Sequence, residues 1–151
     1  MDATTLDVEA AARGLDRMIE LHVALLDLTR REAEILEAEG SVDELVRLAG
    51  RKSAVMAALV AVDGELIPLK REWRTRRETL APKQRAVVDD RLSALLDLIG
   101  CILLVEQQCE EALEEMGAAD AAPAPVTKNA LGAYAASALV PAGVGAIDRC
   151  G

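Results

Sequence analysis

His22 is the only histidine in the chain, so it would have to be the reactive group of any phosphotransfer chemistry carried out on a helix face. Phosphotransfer modules keep a lysine and a small residue just after their histidine, whereas His22 is followed by Val23, Ala24, Leu25 and Leu26. The pattern predicts a packed core histidine. Carboxylate metal sites in helical bundles need Glu-x-x-His motifs, and the chain contains none. Gly-rich phosphate loops, nucleophile elbows and acid/base dyads are also missing from the sequence. Cys101, Cys109 and Cys150 fit no metal spacing. On one helix Cys101 and Cys109 would lie about 12 Å apart, too far to bridge, which predicts reduced, mostly buried thiols. The sequence therefore predicts a non-enzymatic protein with no cofactor and no metal.

Two charged residues stand where apolar ones are expected, Lys52 on one helical seam and Glu106 on another. They are predicted to pair across the interior, where a polar seam residue penalises wrong alignments. A second charged feature is the basic run Lys70, Arg71, Arg74, Arg76, Arg77, Lys83 and Arg85 around Trp73. Solvation explains most such runs, but a tryptophan among arginines is a usable hot spot for an acidic protein surface.

The elements that position these residues follow from apolar spacing. Val88, Leu92, Leu95, Ile99, Ile102, Glu106, Cys109, Leu113 and Met116 alternate at three and four, which is a heptad seam. Leu45, Leu48, Lys52, Val55, Leu59, Val62 and Leu66 repeat it, and Leu15, Met18, His22, Leu25, Thr29 and Leu36 follow it more loosely. Apolar neighbours such as Ile19, Val46 and Leu96 widen each stripe beyond the needs of a two-stranded coil. The fold class is all-α, an elongated antiparallel bundle of three long helices in heptad packing with a flexible C-terminal tail.

The bundle domain is read over 1–116, with helices at about 3–37, 42–67 with an extension over 69–79, and 82–116. Gly40 stops the first helix, and Ser41 with Glu44 forms the capping box of the second. Pro68 predicts a break or kink, and Thr79 or Ala81 caps the third helix, with Pro82 in its first turn. The remainder, 117–151, is an Ala/Pro/Gly-rich flexible tail in which Leu131, Tyr134, Leu139 and Val140 are scattered as anchors.

Ala and Leu supply about a third of the 151 residues, and Phe is missing altogether. The net charge of −9 is unevenly placed: residues 68–85 carry two acids and seven bases, while the flanking segments are acidic. An acidic body disfavours nucleic acid and anionic membrane. With no long uncharged apolar run and an acidic start, MDATTLDVEA, the chain is expected to be cytoplasmic and not inserted in a membrane.

The stretch LTRREAEILEAEGSVDELVRLAGRKSAVMAAL, with its acidic heptads, short break, leucine pairs and Lys52, resembles the FlgN family of flagellar export chaperones. The last helix, ALLDLIGCILLVEQQCEEALEEM, resembles that family's final helix, with Gln107 or Gln108 where the family often has asparagine. The resemblance implies a chaperone that binds hook-filament junction proteins and delivers them to the flagellar type III export gate or ATPase. It also implies that a client's amphipathic terminal helix packs on Leu96, Leu103, Leu104, Leu113 and Met116, and that tail residues Leu131, Tyr134, Leu139 and Val140 either join that contact or dock at the export gate. Trp73, Arg74 and Arg77 are then the expected contact with the export machinery, and the free chain is a possible homodimer. The alternative that shares every heptad is a coiled-coil adaptor or regulatory bundle protein with no export role.

Overall fold

A computed structural model of the chain describes residues 6–117, which form four α-helices and one 3-10 turn with no strand among them. Helix α1 spans Val8–Glu37, α2 Val42–Glu65, α3 Ile67–Arg76 and α4 Pro82–Glu115, with the 3-10 turn at Arg77–Thr79 before α4. The tail anchors Leu131, Tyr134, Leu139 and Val140 lie outside the described residues.

Local chemistry sets each boundary. Helix α1 opens at Val8, later than the expected residue 3, because Asp7 serves as N-cap and its Oδ1 accepts from the Ala10 amide at 2.9 Å. It closes through Glu39 in the left-handed region (φ 52°) and a 2.8 Å bond from the Gly40 amide to the Ile35 carbonyl. Ser41 caps α2 as expected, accepting from the Glu44 amide at 3.1 Å. Pro68 marks a helix boundary: Leu66 keeps right-handed helical geometry as α2 ends, and Pro68 sits in the first turn of α3, where its missing donor costs little. Ala81 is the N-cap of α4, and Gln84 Oε1 accepts from its amide at 3.3 Å.

Pairing directions follow from cross-helix contacts. Gly14 near the start of α1 meets Leu66 at the end of α2, and Glu32 late in α1 bonds Lys52 in the first half of α2, so these helices are antiparallel. Asp16 pairs with Arg91 and Thr29 meets Glu106, so α1 and α4 run side by side in the same direction. Their seams interlock in one apolar core around Met18, Leu25, Leu59, Leu95, Ile99 and Ile102. A second cluster of Leu6, Ala11, Leu15, Trp73, Val88 and Leu92 closes the end where α1 and α4 begin.

Two expectations are corrected here. Trp73 is buried (4 % exposed) in that second cluster and is no exposed hot spot, because Leu69, Trp73 and Leu80 turn one side of the basic run inward. The seam of α4 is buried from Val88 to Cys109, but Leu113 is only half-buried and Met116 is 46 % exposed. Thr29 sits level with Glu106, so Met116 falls beyond the end of α1 at Glu37.

Candidate partner-binding surface

At the end away from Trp73, the core changes from apolar to polar. Lys52 is 2 % exposed and Glu106 1 %, and the ammonium bonds both Glu106 Oε1 and Glu32 Oε2, the latter at 2.9 Å. The predicted seam pairing is therefore present, with Glu32 of α1 as a third member. Burial alone would pull the Lys52 pKa down, but Glu32 and Glu106 outweigh it, and the net shift is upward. The lysine is held charged.

Thr29 completes the layer. Its hydroxyl donates to the Leu25 carbonyl at 2.8 Å and lies 3.4 Å from Glu106 Oε1, sharing one proton between two acceptors. Cys109 Sγ donates weakly to the Thr29 carbonyl at 3.9 Å. Burial, then the charges of Glu32 and Glu106, pushes the Cys109 thiol up to about 12, so it stays protonated and unreactive. Cys109 is free as expected, whereas Cys101 is disulfide-bonded and not the reduced thiol that its sequence context predicts.

His22 packs in the interior with no exposed surface. Its Nδ1 lies 2.7 Å from the Met18 carbonyl, which can only accept, so Nδ1 carries a proton. Burial lowers the ring's pKa despite that bond, which favours the neutral imidazole. A phosphoryl donor has no route to it from solvent.

The expected docking residues on α4 divide into two groups. Leu103 packs against the main core, while Leu96, Leu104 and Leu113 are half-buried and Met116 is exposed. Beyond the helix-start end, Arg74 is exposed, and Arg77 is half-buried with its guanidinium 5.9 Å from the Trp73 ring centroid. Arg77 also reaches Asp89 at 3.3 Å, so its guanidinium is partly engaged within the chain. Of the three residues expected to meet the export machinery, only Arg74 is presented freely.

Sequence reasoning missed two features. Arg91 clamps α4 to α1 through two bonds to Asp16, at 2.8 and 3.4 Å, and also donates to the Val87 carbonyl at 2.8 Å. A groove between the end of α1 and the start of α2 is lined by Arg31, Ile35, Glu44, Arg47, Leu48 and Arg51. Its signal was the i, i+4 spacing of Arg47 and Arg51 beside a buried leucine. No group of three or more His, Cys, Asp or Glu side chains able to hold a metal ion occurs among the described residues, and no described helix is long and apolar enough to cross a membrane.

No protein-family model, no curated protein and no solved structure matches this chain.

Proposed function

We propose that this chain is a non-enzymatic cytoplasmic export chaperone of the FlgN type, needing no cofactor, which sequesters the terminal helices of hook-filament junction proteins. In this reading the helices form an elongated antiparallel bundle in heptad packing, and α4 is the rail on which a client helix docks. The observation that supports it is apolar surface that α4 leaves uncovered: Leu96 and Leu104 stay half-buried beside the core seam, and at the far end of the seam itself Leu113 is half-buried and Met116 exposed. The buried Lys52–Glu106 layer also suits a holder that must not exchange its own helices for those of its client, because slipping either seam would strand a charge. Arg74 remains a candidate contact for the export gate or ATPase. The Cys101 disulfide pulls the other way on location, since reducing compartments keep thiols free.

The test is light scattering on size-exclusion fractions of the chain mixed with a junction protein that carries its terminal helices. A one-to-one complex is expected, lost when the client's terminal helix is deleted and weakened at least about tenfold by Leu104→Glu with Leu113→Glu. No complex with the intact client would overturn the export reading. The coiled-coil adaptor without export role is the second reading, favoured by Val42, Val46 and Val60, which α2 leaves exposed.

A further inference from the structure

Helix α2 carries a second seam on the side away from the core. Val46, Gly50, Ser53, Ala57, Val60 and Gly64 recur at intervals of four and three, so they line one stripe, and all six are exposed. Val46 is 52 % and Val60 67 % exposed, and both stand on this one stripe. The buried residues of the same helix, Leu48, Lys52, Met56 and Leu59, face the opposite way.

The two glycines sharpen the point. A glycine within a helix weakens it relative to alanine, so it usually marks a close approach. At Gly14 that approach is visible, because an added Cβ would lie 2.4 Å from Leu66 Cδ2. At Gly50 and Gly64 an added Cβ would meet nothing within 4 Å. Nothing within the described chain accounts for them.

We propose that α2 is the interface of a homodimer, packed antiparallel against α2 of a second copy. In that register Val46 faces Gly64 of the second copy, Val60 faces its Gly50, and Ser53 faces its Ala57. Every valine finds a seat with no side chain in it. Charge selects the same direction. Arg47 and Glu65 are exposed on one flank of the stripe, near its two ends, and the antiparallel register sets each Arg47 beside the opposing Glu65. A parallel pair would put valine on valine, arginine on arginine and glutamate on glutamate. The proposal concerns the free chain and does not depend on the export reading.

Light scattering on the full chain should give about 32 kDa, twice the 16.0 kDa chain mass, dissociating on dilution. Gly50→Leu with Gly64→Leu fills both seats and should return the mass to 16.0 kDa with no loss of thermal stability, since both sites are open in the monomer. Arg47→Glu should weaken the dimer about tenfold and Glu65→Arg on top of it should restore it, a rescue that remains readable even if the glycine variant folds poorly. Spin labels at Glu44→Cys should sit about 33 Å apart along the helix direction in the antiparallel register. A monomer at every concentration overturns the proposal. So does a dimer indifferent to the glycine and charge variants, or a label separation near 10 Å, which would mean a parallel pair.

Discussion

The two ends of the molecule are closed by opposite means. Where α1 and α4 begin, Trp73 seals an apolar cluster with Leu6, Leu15, Val88 and Leu92, and the charges of Asp16 and Arg91 stay at the rim. Toward the other end, Thr29, Glu32, Lys52, Glu106 and Cys109 share a buried polar layer. Apolar burial is indifferent to small shifts of register, so the first end supplies cohesion without specifying alignment. The polar layer works in reverse: its net contribution to stability is small, but only one alignment satisfies it.

The largest contrast should come from removing one charge at the polar end. Lys52→Met leaves Glu106 and Glu32 without their cation and is expected to cost about 3–5 kcal/mol, read by urea unfolding. Adding Glu106→Leu to Lys52→Met should recover most of that loss, and a double variant as unstable as the single one would show that packing, not charge, dominates the layer. At the apolar end Trp73→Ala should cost about 3 kcal/mol through the cavity it leaves, with no recovery from any charge change nearby.

A smaller effect follows from His22, between the two ends. Its folded-state pKa lies below the ordinary value of 6.5, so below that pH the unfolded chain takes up a proton that the folded one refuses. Stability contributed by the neutral ring is present above about 6.5 and is lost as the pH falls through the depressed folded value. Unfolding curves should steepen in their pH dependence below 6.5, and His22→Gln should flatten that portion. The smallest effect belongs to the rim: Asp16→Ala removes a half-exposed pair and should cost about 0.5 kcal/mol, vanishing at high salt.

The polar end was legible in the sequence, and the apolar end only through its seam residues Leu15, Val88 and Leu92. Lys52 and Glu106 announced themselves as charges on apolar seams, where the three-four spacing leaves each side chain one direction to point. Thr29 and His22 fell on the seam of α1 for the same reason, and both are buried. Trp73 was concealed by composition: arginines and lysines around it suggested a solvated segment, yet their long side chains leave one side of α3 free to face inward. Glu32 was passed over although it falls on the α1 seam between Thr29 and Leu36, because Arg31 and Glu34 beside it suggested a solvated stretch; it bonds Lys52. The residues proposed for docking on α4 were legible as apolar, but how far each is covered was not, because that depends on how the helices pack.

The parallel course of α1 and α4 bears on the birth of the molecule at the ribosome. Its principal interface joins residues 75 and 77 positions apart, Asp16 to Arg91 and Thr29 to Glu106. Helices α1 and α2 can close as a local hairpin as soon as they emerge, but the face of α1 that receives α4 must wait until some 75 further residues have been made. For a helical protein that is a long wait with apolar surface uncovered. The nascent hairpin should therefore be the stage at which this chain itself most needs protection from aggregation.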